Sequence, residues 1–222
     1  MRPETISLVR HGESMANADK ANYQTVTDDL MDLTPRGEEQ ARGAIPVLRQ
    51  LLGSERTLFY HSPYLRCRRT AAIIRSGFER EQISQIEDNH LRERKIGNYL
   101  SLQEYQEIHR QLNEQGFFYR PPCGESVAEV FTRSELFRAT LRSHWESDNY
   151  PRHVVIVGHN TALKTFLMAE LRISALHFSK LKTLGNAQVV TLEPAKTDAG
   201  VQYIPTELPI GITPELINST LS

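Results

Sequence analysis

The chain has 222 residues, with 26 Lys and Arg against 27 Asp and Glu and a formal net charge of −1. That length suits one α/β domain with a closed core, and that balance argues against nucleic acid or an anionic membrane surface as partner. Two cysteines, Cys67 and Cys123, form neither a disulfide framework nor a metal spacing, so free thiols in a reducing compartment are expected. Before the first strand there is no apolar leader, and no apolar run approaches a membrane span. A soluble cytoplasmic protein is expected.

Strand-like runs fall at 5–9, 57–61, 153–157 and 187–193, short and rich in Val, Ile, Leu or aromatics, as buried strands are. Between the first two lies a helix over 35–52. Ala41, Ala44, Ile45, Leu48, Leu51 and Leu52 recur there at helical spacing, Thr34 caps it and Pro35 suits its first position. Pro46 predicts a kink or break within it. Ser62-Pro63 opens a second helix, expected to turn Ala72 and Ile73 inward. The segment 98–125 interrupts the alternation: a helical pattern (Leu102, Tyr105, Ile108, Leu112) precedes Phe117-Phe118-Tyr119-Arg120, either roofing a site or packing its own aromatics. Ser126-Val127-Ala128-Glu129 is a capping-box pattern opening a helix with Val127, Val130, Phe131, Phe137, Leu141 and Trp145 on one broad core face. A last helix over 161–171 buries Leu163, Phe166, Leu167 and Leu171. The tail from about 205 is expected to be irregular.

Strands alternating with helices predict a three-layer α/β/α sandwich with a mostly parallel central sheet, residues 1–222 forming one domain. Ligands of such sheets bind beyond the carboxyl ends of the strands. Leu8-Val9-Arg10-His11-Gly12-Glu13-Ser14 leaves the first run there, Ser62-Pro63-Tyr64-Leu65-Arg66 the second, and Gly158-His159-Asn160 the third. Two strand-end histidines with arginines beside them describe an anion site containing a nucleophile.

Together with Asn17, six residues after His11, with Thr70-Ala71, and with Leu91-Arg92-Glu93-Arg94 before Gly97, these motifs resemble the histidine phosphatase superfamily, also called the phosphoglycerate mutase-like family. The resemblance spans residue 5 to about 193 and leaves the tail uncovered. It implies phosphoryl transfer through a phosphohistidine on His11. Guanidinium groups pair bidentately with phosphate oxygens, which suits Arg10 and Arg66. His159 at a helix start, Asn160 beside it, and the Asn17 amide complete the expected phosphate-binding set. The resemblance places the general acid and base in the Leu-x-Glu-Arg segment, at Glu93. Glu13 is read as structural, holding an arginine. Arg68, Arg69 and Arg94 are read mainly as surface charges, and Arg120 as the best candidate for substrate selection.

No His-x-His, Asp-x-Asp or Cys/His cluster suggests a metal site, and no cofactor is expected. The expected substrate is a small phosphorylated metabolite, and no pattern specifies an oligomeric state. Three functions fit: a phosphatase, a phosphoglycerate mutase, and an inactive phospho-ligand binding module. The phosphatase is favoured. Asn22-Tyr23-Gln24-Thr25-Val26-Thr27 stands where mutases of this family usually carry Phe-Thr-Gly, and Ile96 where they tend to carry tyrosine before the glycine. Phe117-Phe118-Tyr119-Arg120 with Gly124-Glu125-Ser126 looks more like the broad phosphatase branch. An inactive module is disfavoured because both histidines, both arginines and the acid are present.

Overall fold

The computed structural model describes residues 2–97, 101–147, 149–197 and 200–207. Its centre is a six-stranded sheet in the order β3-β2-β4-β1-β5-β6. The strands are β1 (Thr5–Arg10), β2 (Thr57–His61), β3 (Ile83–Glu87), β4 (His153–Gly158), β5 (Val189–Thr197) and β6 (Gly200–Pro205). The first four run parallel, and β5 and β6 are antiparallel. The helices are α1 (Met15–Ala18), α2 (Pro35–Leu52), α3 (Leu65–Arg75), α4 (Leu102–Gln115), α5 (Val127–His144) and α6 (Asn160–Leu171).

Alternation along the strands separates the two faces. Val9, Phe59, Val155 and Val157 pack against Ala44, Leu48 and Leu52 of α2 and Cys67, Ala71 and Ile74 of α3. Ile6, Leu8, Tyr60, Val154 and Ile156 face the other way, onto Phe137 and Leu141 of α5 and Leu163, Phe166 and Leu167 of α6. The sandwich is the one expected. Each large side chain so enclosed contributes about 1.5–3 kcal/mol by leaving water.

Several local expectations are corrected. Helix α2 runs unbroken through Pro46. Its apolar stripe, Ala41, Ala44, Leu48 and Leu52, is buried, and that packing outweighs one missing backbone hydrogen bond. Helix α3 begins at Leu65 rather than at Ser62-Pro63. It turns Ala71 and Ile74 inward, while Ala72 is exposed and Ile73 half-buried. Strands β3 and β6 were not anticipated. The edge strand β3 buries only its first residue, so its sequence lacks an apolar pattern. The capping box at Ser126 is formed as read. Residues 98–100 of the interrupting segment and 208–222 of the tail lie outside the described residues.

The Arg10-His11-Gly12 turn is set against the start of α2 by backbone contact. Cβ atoms added to Gly12 and Gly37 would lie 2.2 Å from Gly37 O and 2.1 Å from Glu13 O respectively. Neither neighbour is a flexible side chain that can swing away. Gly37→Ala is therefore expected to destabilise the protein by about 1–3 kcal/mol, the usual cost of overpacking. Gly43, on the same helix with nothing within 4 Å of its Cβ position, is the control: Gly43→Ala should stabilise by about 0.5–1 kcal/mol. Urea titration of both variants measures the difference.

Candidate active site

Strand register brings the two histidines together. Arg10 lies opposite Gly158 in the parallel β1–β4 pair, so the next residues, His11 and His159, leave the sheet side by side. The ladder continues one step further, with His11 N donating to Gly158 O at 3.0 Å. The two rings stand edge to face, centroids 5.1 Å apart. On the other side of β4, Ser62 N donates to Val157 O at 3.1 Å, which sets Ser62 Oγ 2.8 Å from His159 Nε2.

His11 is 4% exposed. Its Nδ1 lies 2.7 Å from the carbonyl oxygen of Gly12. A carbonyl only accepts, so Nδ1 carries the proton and Nε2 keeps its lone pair. Burial, then the charges of Arg66 and Arg10, hold the His11 pKa well below the ordinary imidazole value. The ring is neutral near pH 7 and suited to nucleophilic attack. Gly12 is itself fixed: its N–H donates to Thr70 Oγ1 at 3.0 Å, and Thr70 Oγ1 donates to Arg66 O at 2.7 Å. Thr70 lies one turn beyond Arg66 on α3, so one helix face positions both the motif and a phosphate-binding candidate.

His159 is fully buried, and burial followed by the charge of Arg66 lowers its pKa strongly. Besides Ser62, its Nε2 faces Cys67 Sγ at 3.3 Å. Burial pushes the Cys67 thiol up, so it stays protonated beside the ring. Cys123 is free and exposed.

A cavity of about 770 Å³ is lined by Arg10, Lys20, Tyr23, Asp28, Asp29, Tyr64, Glu93, Arg94, Tyr105, His109 and Thr161, while His11, Asn17, Arg66 and His159 are not among its lining residues. Arg10 Nη1 donates to Leu184 O at 2.6 Å, while its buried Nε has no hydrogen-bond partner. Glu93 is held by two backbone donors, Arg94 N at 2.8 Å on Oε1 and Thr161 N, at the start of α6, at 3.3 Å on Oε2. Arg66 is 3% exposed. Its guanidinium is held by Asp28, with Nη1 3.1 Å from Oδ1, Nη2 3.3 Å from Oδ2, and a further bond from Nη1 to the Asp28 carbonyl. Burial opposes the charge on Arg66, but Asp28 and lesser anionic neighbours outweigh it and raise the pKa overall.

The remaining sequence candidates divide. Asn17 Oδ1 accepts from Ser14 N at 3.1 Å and from Asn186 Nδ2 at 3.2 Å. Asn160 Oδ1 accepts from Leu184 N at 3.2 Å, bracing the loop that also receives Arg10. Glu13 accepts from Thr34 Oγ1 at 2.9 Å and lies 3.6 Å from Arg36, the structural role expected of it. Arg68 and Arg69 make surface pairs with Glu87 and Asp32. Arg120 lies outside the cavity lining, donating to Gly124 O and pairing with Glu129. Arg94, read as a surface charge, lines the cavity instead.

Sequence reasoning missed Lys20, Asp28, His109 and Asn186. Tyr105 and His109 share one face of α4 at a spacing of four, a signal that was available. Asp28 sits in a polar stretch with no periodicity, and only the fold brings it to Arg66. Within the segment 101–125, α4 supplies Tyr105 and His109 to the cavity lining, while Phe117 packs on Phe131 and Phe178.

The family model described as histidine phosphatase superfamily (branch 1) matches residues 6–204. A phosphoglycerate mutase-like protein of Arabidopsis thaliana, AT74, is 34% identical over 237 residues, covering 97% of this chain and 74% of that protein. The broad-range acid phosphatase DET1 of Saccharomyces cerevisiae is 26% identical, covering 86% of both. Among solved structures, a mycobacterial glucosyl-3-phosphoglycerate phosphatase is similar in fold, with a TM-score of 0.72 at 22% identity over 94% of this chain and 100% of that one.

Asp28 holds the guanidinium of Arg66, the residue expected to bind phosphate. Asp28→Asn is therefore expected to lower the inhibition constant of inorganic phosphate by about two- to fivefold, the worth of one partly exposed ion pair. Inhibition by phosphate of the variant beside the native protein checks this.

Proposed function

The chain belongs to the histidine phosphatase superfamily, branch 1, and on that premise we propose that it is a metal-independent phosphatase hydrolysing small phosphomonoesters through a phosphohistidine on His11. The observation that carries this reading is the Nδ1–H···O=C bond from His11 to Gly12, 2.7 Å long. It leaves Nε2 of a neutral ring as the nucleophile, flanked by Arg10 and Arg66.

In the first step Nε2 of His11 attacks phosphorus and the P–O ester bond breaks. Arg10 and Arg66 take up the charge developing on the non-bridging oxygens, and electrostatic stabilisation of that kind is the main demand of phosphoryl transfer. Asn17 adds an amide donor, and His159 packs edge to face on the His11 ring and keeps it in place. Asn160 takes part through the loop it braces. The leaving alkoxide takes a proton from Glu93. In the second step the Glu93 carboxylate removes a proton from water, which attacks phosphorus and breaks the P–N bond. Alcohol and inorganic phosphate leave, and His11 and Glu93 return to their starting states.

The acid phosphatase and glucosyl-3-phosphoglycerate phosphatase among the similar proteins support hydrolysis over mutase action. Among the described residues no helix is long and apolar enough to cross a membrane. A cytoplasmic setting fits the exposed free thiol of Cys123.

Acid-labile, alkali-stable phosphate is expected on protein quenched during turnover, and His11→Ala should abolish both label and turnover. Chelator should change neither. Inorganic phosphate should be released without a bisphosphoglycerate primer. Efficient phosphoglycerate interconversion with negligible phosphate release would show a mutase instead.

Glu93 is tested by the leaving group. Glu93→Gln keeps the shape without a proton to give, so phosphoenzyme formation from an alkyl phosphate should slow by roughly 10²-fold or more. Formation from p-nitrophenyl phosphate, which leaves as a stable anion, should slow far less. Single-turnover rates with both esters decide it, and equal small losses would move the acid role to another carboxyl group.

A further inference from the structure

Glu125, in the Gly124-Glu125-Ser126 motif, and Arg133 of α5 form an ion pair that the chemistry at His11 does not use. Both are largely enclosed: Arg133 is 8% exposed and the Glu125 side chain 14%. The pair is bidentate, with Arg133 Nε on Oε1 and Nη2 on Oε2, each at 3.1 Å. Enclosing two charges is costly, and such a pair often stabilises a fold less than apolar packing of the same volume. Its use is shown by where the remaining hydrogen bonds go.

They go to the backbone on both sides of Glu93. Arg133 Nη1 donates to His90 O at 2.6 Å and to Arg92 O at 3.0 Å, and Nη2 to Glu93 O at 3.5 Å. Glu125 Oε2 accepts from Lys95 N at 3.1 Å, and Glu125 N donates to Lys95 O at 2.7 Å. Arg92 Nη2 donates to Glu125 Oε1 at 2.7 Å. Residues 92–97 form neither helix nor strand, so these bonds stand in for a ladder. Glu125 immediately precedes the Ser126 cap of α5, and Arg133 projects from α5 itself. That helix packs on α6, where Ser134 Oγ lies 2.7 Å from Thr165 Oγ1 and the Phe137 ring meets Phe166. Helix α6 in turn supplies Thr161 N to the Glu93 carboxylate. The backbone of Glu93 is thus held from α5 and its carboxylate from α6, two helices fastened to each other.

We propose that Arg133 and Glu125 are positioning residues for the general acid, setting where the Glu93 carboxyl group stands relative to the ester oxygen without touching substrate. This rests on the phosphatase reading above and on Glu93 as its acid. An acid must lie within hydrogen-bond reach of the leaving oxygen, and a misplacement of about 1 Å can cost roughly 10²-fold in rate.

Arg133→Lys keeps the charge but loses the planar fork that spans carboxylate and carbonyls. Glu125→Gln keeps the shape and loses the charge. Single-turnover phosphoenzyme formation is measured for both variants with an alkyl phosphate and with p-nitrophenyl phosphate, each in the native and the Glu93→Gln background, beside urea titration of every protein. Each variant should slow the alkyl reaction by about tenfold and the aryl reaction far less. In the Glu93→Gln background neither should slow the alkyl reaction further, since residues acting through one group are not additive. Should Arg133→Lys not fold, Glu125→Gln and Arg92→Met give the same comparison. Equal losses for the two esters, or a loss that persists without the Glu93 carboxyl group, would show a structural role alone and overturn the proposal. The reading beneath it fails differently: equal, small losses in Glu93→Gln alone would remove the acid role, and the positioning role with it.

Discussion

The parallel register of β1, β4 and β2 is the constraint on which the rest of the site depends. Arg10 pairs with Gly158, and His61 with Val157 one step earlier, so three strands end within one residue of each other. His11 and His159 then leave the sheet at the same height, with Ser62 one residue lower, level with Gly158. A shift of one residue in any strand would turn its side chains to the opposite face and break the two apolar clusters. The energy that fixes the histidines is therefore the burial of Ile6, Leu8, Val154 and Ile156 on one face and of Val9, Val155 and Val157 on the other. The site inherits its accuracy from the core.

On that frame the loops act as clamps. Ala187 N donates to Arg10 O at 2.9 Å, and Asn186 Nδ2 to His11 O at 3.0 Å, so the turn before β5 grips the motif from one side. Gly37 of α2 presses from another, and Thr70 of α3 holds Gly12 from a third. Three segments distant in sequence thus fix a turn of a few residues. Its most consequential product is the Gly12 carbonyl aimed at Nδ1, which settles the tautomer of His11.

Electrostatics follow from the same enclosure. Gathering Arg10, Arg66, Lys20 and Arg94 around one cavity is costly unless something offsets the repulsion. Burial first, and these charges second, keep both histidines neutral. Asp28 offsets Arg66 directly, through both guanidinium nitrogens. Lys20 and Arg94 form no carboxylate ion pair among the described residues, but Asp28 acts on Lys20, and Glu93 and Glu125 act on Arg94, at longer range.

How much was legible beforehand follows from the range of the interactions involved. The strand ends carrying His11, Ser62 and His159, the capping box at Ser126 and the helix face of α6 rest on neighbours within a few residues, and a linear sequence displays such neighbours. The sandwich follows from the same alternation. Pro46 misled because a local rule met a non-local reward: the buried stripe of α2 holds the helix together across it. Edge strands β3 and β6 escaped because an exposed strand needs no apolar pattern. Arg94 lines the cavity and Arg120 does not, the reverse of what was expected, because a guanidinium looks the same in sequence whether it faces a cavity or solvent. The sequence by itself determined which residues end the strands and which chemistry they can perform. Only the tertiary structure decided that Asp28 reaches Arg66, that His159 packs on His11, and that Lys20, Arg94 and His109 line one cavity, because those meetings depend on contacts between segments tens of residues apart.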